Sequence, residues 1–496
     1  MIINRTTYIN LLLTCPLWLF ASLFNNIYIA NIASIFGVIL CLKSIYPIIG
    51  KPTEMIRFVR IGGIYLCTIT NLSWIIASYL HIFKLNLDIR VTLFNSMKGG
   101  LSFSTYAIAI FYVCLFSSLL TYFGSNYRIF KLENKIYNIL YSSINFSIEK
   151  LISIISFFTF INSLLIFSGV IAMRGILVSG VDEGKIPYWI AIFFSILPVQ
   201  SFFFALIIFK IINEKKTILI YFLIFTLSFN LFISFTNGRS IFIFNLLTIF
   251  YWYIFFNRKK PKFKTLLYIL LLYPVISNIL LFANFLRGAD GFSEWKSKSA
   301  IELLPSAFEK FNNSKKLIKN EIQSSTENIA SRPLVTIPLA YCIQYPSGIS
   351  TFTYGENLFN SFIWSIPGPF ASFKKEFPIQ ENLLYKHFKI GKDSDEDTAD
   401  SIYLYSYTEF SWFGLLIYPI LLSIFWYIIL LLILNWKING IFFICSICLF
   451  FQSLVVLIGE SSITENLVSF RSFIFFCFLQ KILFPKDKII ISDNNY

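Results

Sequence analysis

Long apolar stretches alternate with short polar ones along most of the 496-residue chain. Crossing about 30 Å of hydrocarbon as a helix takes roughly 20 apolar residues. Runs of about that length cover Tyr8–Phe24, Ile27–Ile49, Phe58–Phe83, Leu101–Phe123, Leu151–Met173, Tyr188–Ile212, Thr217–Phe235, Ile241–Phe256, Thr265–Ala283, Trp412–Leu434, Ile438–Gly459 and Leu467–Phe484. The pattern predicts an all-α polytopic membrane protein with about 12 transmembrane helices. The first run follows Arg5, but no small-x-small cleavage site precedes the polar Asn25-Asn26 turn and a second run follows at once, so it reads as an uncleaved helix.

The pattern breaks once, between Asn284 and Ser411. The expected organisation is therefore lopsided: nine helices in residues 1–283, a large external segment over 284–411, and three helices with a C-terminal tail in 412–496. Within the segment, Trp295, Ile301, Leu304 and Phe308 recur at helical spacing across Ser293–Phe311, and Pro333, Pro338, Pro346, Pro367, Pro369 and Pro378 punctuate the remainder. Such a segment would cap the bundle and wall a cavity at the outer leaflet. Nothing before Asn284 mirrors the chain beyond Ser411, which speaks against the repeated halves usual in secondary transporters.

Composition agrees. The chain is 56% hydrophobic and 14% charged, against about a quarter charged for a soluble domain, which excludes a cytosolic enzyme, a DNA-binding module and a disordered chain. The 58 Phe and 27 Tyr need no function, because a lipid-facing surface accepts any large apolar side chain. The net charge of +15 is topological rather than a sign of nucleic acid binding. Residues 284–411 hold 13 Lys and Arg against 15 Asp and Glu, so the excess lies elsewhere. Alternate threading from a cytoplasmic N-terminus puts 21 of the other 28 basic residues on one side. These include Lys51, Arg57 and Arg60; Arg128, Lys131 and Lys135; and Arg258, Lys259 and Lys260. The expected orientation has both termini cytoplasmic and residues 284–411 outside.

Cysteine and histidine contribute little. Seven of the eight cysteines lie in apolar runs, Cys342 alone falls in the segment, and Cys445-x-x-Cys448 sits in a run without His or carboxylate neighbours, so packing is the expected role. His81 and His387 are too few for a zinc site. The acids Asp393, Asp395, Glu396, Asp397 and Asp400 are spaced like a calcium loop, but Thr398 and Leu404 stand where that loop needs Gly and Glu. No metal and no cofactor are expected.

Candidate chemistry gathers at the outer ends of the runs. Arginines there oppose the topological bias: Arg239 in the tight turn Thr236-Asn237-Gly238-Arg239-Ser240, Arg287 just after the ninth run, Arg471 inside the last run, and Arg174 after the fifth. A planar guanidinium stays charged at low dielectric and binds phosphate oxygens in pairs, so a cluster would hold a pyrophosphate without a metal. Snorkelling to lipid headgroups is the alternative for each. Glu409 precedes the tenth run in aromatic surroundings and would serve there as a general base; a charge favoured by the helix dipole is the other reading. Arg332 and His387 are further candidates in the segment.

The order of these features resembles the O-antigen polymerase (Wzy) and oligosaccharide repeat unit polymerase family. The residues that carry the likeness are the Asn-Gly-Arg turn, the Arg287-Gly288 step, Tyr354-Gly355-Glu356-Asn357-Leu358, Ile366-Pro367 and the stretch Ser401 to Gly414, roughly residues 230 to 430. The resemblance implies a GT-C-like bundle in a bacterial inner membrane that joins undecaprenyl-pyrophosphate-linked glycans at the periplasmic face, with a chain-length regulator protein as a candidate partner. It assigns pyrophosphate recognition to Arg239 and Arg287 and sets Glu356 and Glu409 near the sugar. Arginines at the diphosphate would stabilise the anionic leaving group while a carboxylate, Glu409 ahead of Glu356, deprotonates the acceptor hydroxyl, and a single displacement inverts the anomeric centre. A lipid-linked oligosaccharide flippase or other polysaccharide transporter, and an O-antigen ligase using His387, are the alternative readings.

Overall fold

The computed structural model describes residues 2–82, 101–167, 197–214, 226–227, 239–261, 305, 309, 336–345, 352–366, 401–438, 440–459 and 463–483. Every regular element among them is helical. In chain order these are α1 (Ile2–Leu12), α2 (Thr14–Leu23), α3 (Ile27–Ile45), the single turn α4 (Pro52–Met55), α5 (Phe58–Ile82), α6 (Phe103–Gly124), α7 (Tyr127–Ser143) and α8 (Ile148–Phe167). They continue with α9 (Leu197–Glu214), α10 (Arg239–Asn257), α11 (Thr336–Gln344), α12 (Glu356–Ser365), α13 (Ile402–Phe410), α14 (Gly414–Asn435), α15 (Gly440–Phe451) and α16 (Ile463–Leu483).

Among the described residues, five stretches are long and apolar enough to cross a membrane: Thr6–Leu23, Ile27–Ile45, Phe58–Ile75, Phe103–Gly124 and Ile402–Asn435. Helices also occupy much of the runs expected around 151–173, 188–212, 241–256, 438–459 and 467–484. The runs at Thr217–Phe235 and Thr265–Ala283 lie outside the described residues apart from Thr226 and Leu227, as does Ser293–Phe311 apart from Pro305 and Glu309. The chain is a helical membrane protein. Its outward surface fits that class: Leu416, Ile420, Ile424 and Ile428 form an exposed apolar stripe at four-residue spacing along α14.

Lipid is as apolar as leucine, so helices in a membrane are drawn together by close packing and buried hydrogen bonds. Both devices are present. Asn26 ends the expected polar turn by capping α3, its side chain accepting from the Tyr28 and Ile29 amides, while Asn25 takes the left-handed conformation. Asn71 of α5 accepts from Trp18 Nε1 (2.9 Å) and donates to the Cys67 carbonyl (2.8 Å), and Trp74 Nε1 reaches Asn31 Oδ1 (2.8 Å), which ties α2, α3 and α5 together. Gly63 lets α5 lie directly on α6, where any Cβ would run into the Thr121 hydroxyl and the Ser117 carbonyl.

α6 defines the two ends of the bundle. It starts beside α11, where the Ser102 amide donates to Gln344 Oε1 (2.7 Å), and ends with Gly124 against Val59 and Arg60. Residues 336–345, 352–366 and 401–411 are built into the Ser102 end. Thr336 Oγ1 donates to the Tyr106 hydroxyl (3.0 Å), Tyr112 and Ser406 share a hydrogen bond (2.8 Å), and Cys342 is buried. Every residue of α13 from Ile402 to Glu409 is buried, and the apolar stretch that continues into α14 begins at Ile402. Tyr, Ser and Thr depress the hydropathy of IYLYSYTEF, but here their polar atoms are satisfied internally, as in Thr408 Oγ1 to the Leu404 carbonyl (3.0 Å).

Candidate functional site

The Ser102 end gathers around the ten-residue helix α12. Phe352–Tyr354 runs along the end of α13, and the Thr353 and Tyr354 amides donate to the Thr408 and Glu409 carbonyls (3.4 and 3.2 Å). These bonds satisfy carbonyls that a helix end leaves open. Tyr354 (φ 45°) and Gly355 (φ 98°) then turn the chain through left-handed geometry into α12. Gly355 occupies the N-cap without a side chain to cap with.

Glu409 supplies that cap from another helix. Its Oε1 accepts from the Leu358 amide (2.6 Å) and its Oε2 from the Tyr418 hydroxyl (2.7 Å), and the side chain is fully buried. The carboxylate therefore meets the positive end of α12, the favourable place for an anion. It does not open a membrane span, as its position before the tenth run suggested, but lies one residue from the C-terminus of α13. Glu356, in the first turn of α12, is exposed and close enough to act electrostatically on Glu409. The structure thus brings the two expected carboxylates together, one open to the surroundings and one closed off.

Arg471 of α16 holds the other end of α12, where its Nη1 donates to the Ser365 carbonyl (3.2 Å). A cation at the C-terminal carbonyls complements the carboxylate at the N-terminal amides. From Leu358 to Ser365 the helix advances about 10 Å, so Glu409 and Arg471 are separated by most of the length of α12. Arg239 begins α10. Arg174, Arg287, Arg332 and His387 lie outside the described residues.

Sequence reasoning missed Tyr418, the donor that completes the coordination of Glu409. Its one signal is position, two helical turns after Ser411 on the face of α14 that also carries Leu422 and Trp426, all buried. Gly414 makes the approach possible, since a Cβ there would collide with the Ser406 carbonyl.

A second polar cluster lies at the Gly124 end. Arg57 and Arg60, read as topological charges, are buried and share Glu54 (2.8 and 2.7 Å), with Arg60 Nη2 also donating to Thr7 Oγ1 (2.8 Å) and Arg57 lying 4.1 Å over the Phe130 ring. The spacing Glu54-x-x-Arg57-x-x-Arg60 is its sequence signal. Glu133 of α7 is buried nearby: Oε1 accepts from Trp426 Nε1 (2.9 Å), while Oε2 has no hydrogen-bond partner among the described residues. Burial pushes the Glu133 carboxyl up to about 8, against the opposing pull of the Trp426 hydrogen bond and of Arg57 and Arg60.

The chain matches no family model, no curated protein and no solved structure at a significant level.

Proposed function

We propose that the protein joins lipid-pyrophosphate-linked oligosaccharide repeat units into a surface polysaccharide, by inverting, metal-independent glycosyl transfer at the outer face of a bacterial inner membrane. The observation that carries this reading is the exposed carboxylate of Glu356 set beside the buried Glu409 at the Ser102 end, on a helix whose other end is held by Arg471. A general base needs a free lone pair aimed at the acceptor hydroxyl. Both oxygens of Glu409 are engaged by protein donors, so the geometry favours Glu356 as the base and Glu409 as the group that fixes α12. Arginines at the donor diphosphate, Arg239, Arg287, Arg471 and Arg174, would stabilise the leaving group electrostatically.

The test is the surface-glycan ladder of cells lacking this chain, complemented with wild type, Glu356→Gln and Glu409→Gln, each with its membrane level measured. Loss of the ladder with one repeat unit still attached supports a polymerase, and failure of Glu356→Gln alone to restore it supports the base assignment. Failure of Glu409→Gln with rescue by Glu356→Gln returns the base role to Glu409. Absence of any repeat unit at the surface would overturn the reading in favour of export or ligation.

A further inference from the structure

We propose that the Gly124 end carries a docking surface for anionic phospholipid headgroups, built on the outer face of α7. Helix α7 is 17 residues long, about 25 Å. Its buried residues, Ile129, Glu133, Ile136 and Leu140, form one face. Arg128, Lys131, Lys135, Asn138 and Ser142 are exposed, and at 3.6 residues per turn they fall within an arc of about 80° on the opposite face. The acid within α7 is Glu133, turned inward to Trp426, so the outer stripe carries no acid: it is basic from Arg128 to Lys135 and neutral polar at Asn138 and Ser142.

Two observations put this stripe at headgroup level. First, α7 meets the apolar helix that comes after it at 100°, so if Ile148–Phe160 runs through the bilayer, α7 lies along its surface. Second, aromatic rings and cations pair at the same end of the bundle: Lys260 Nζ is 3.5 Å from the Tyr46 ring, Arg258 Cζ 4.6 Å from Tyr141, and Lys481 Nζ 5.5 Å from Trp436. Tyr46, Tyr127 and Tyr141 are exposed there. Tyr and Trp collect at the membrane–water boundary, and Lys and Arg on an amphipathic helix at that boundary attract anionic lipid. An apolar inner face packed on protein and a basic outer face beside an aromatic belt fit the phosphates of a leaflet rich in phosphatidylglycerol.

The test is amide hydrogen exchange on the full-length chain in nanodiscs of phosphatidylcholine alone or with phosphatidylglycerol added. We expect exchange across Tyr127–Ser143 to slow several-fold in the anionic discs, and the slowing to vanish in 1 M salt. In Arg128→Gln/Lys131→Gln/Lys135→Gln it should be lost while protection of α6 is kept. Equal exchange in both discs would overturn the proposal, as would slowing by inorganic phosphate in phosphatidylcholine discs or slowing that survives high salt. The salt arm uses the wild-type chain, so the answer does not depend on the variant folding.

Discussion

Glu409 and Glu133 are both buried carboxylates held by one helix, α14, through Tyr418 and Trp426, which lie about 12 Å apart along it. At the Ser102 end the carboxylate has a donor on each oxygen and caps a helix. At the Gly124 end one oxygen has a donor and the other has none among the described residues, while the neighbouring arginines face Glu54 instead. Burial alone does not decide what a carboxylate does. Glu409 is a fixed acceptor that positions α12, whereas Glu133 is stabilised in its protonated form.

The largest expected effect bears on the second cluster. Glu54→Ala leaves Arg57 and Arg60 buried without their carboxylate and should destabilise the protein by about 3–5 kcal/mol, read as the thermal midpoint in detergent. A loss under about 1 kcal/mol would mean that Thr7 and the surrounding helices suffice to hold both cations.

The next effect is pH-dependent. The folded-state value of Glu133 lies above its ordinary 4.5, so its contribution is fully present below that value and disappears as pH rises through about 8. The groups facing it are Trp426, Arg57, Arg60, Glu54 and Tyr251. Wild-type stability should fall between about pH 5 and 9 by a few kcal/mol, and Glu133→Gln should flatten the curve. An unchanged slope in the variant would assign the pH dependence to another group.

Smaller changes separate the two roles of Glu409. Glu409→Ala removes the cap of α12 and strands the Tyr418 hydroxyl, for about 2 kcal/mol, whereas Glu409→Gln can keep both hydrogen bonds with Tyr418 as acceptor and should cost under about 1 kcal/mol. If both variants melt alike, the charge rather than the hydrogen bonding holds α12. The smallest effect is Tyr418→Phe, about 1 kcal/mol by the same assay, because Glu409 keeps its bond to the Leu358 amide. A loss as large as that of Glu409→Ala would make the hydroxyl the dominant contact.

The membrane class, the Asn25-Asn26 turn and many of the described helix positions were legible in the chain, and Glu356 and Glu409 stood out in it as carboxylates, but not which of the two is buried. Each depends on local pattern: an apolar run is long enough to span or it is not, and a polar residue beside it stands out. Helix α7 escapes a search for long apolar runs, because its apolar and basic faces average out over a window; its signal is the helical spacing of Ile129, Ile136 and Leu140 opposite Arg128, Lys131 and Lys135. Arg57 and Arg60 looked like topological charges for a similar reason, since a count of basic residues cannot tell a solvated cation from one folded back onto Glu54.

What the tertiary structure alone decided is how each polar side chain is satisfied. The residues that meet Glu409 come from positions 358 and 418, those that hold α12 from 409 and 471, and the donor to Glu133 from 426, separations that no spacing rule reaches. In a bilayer a buried polar atom must find its partner within the protein. The sequence by itself determined that the chain is a helical membrane protein, because the length of an apolar run is a local property. Packing determined which of its carboxylates is held by two donors, which is buried with a raised pKa, and which stands open at the surface.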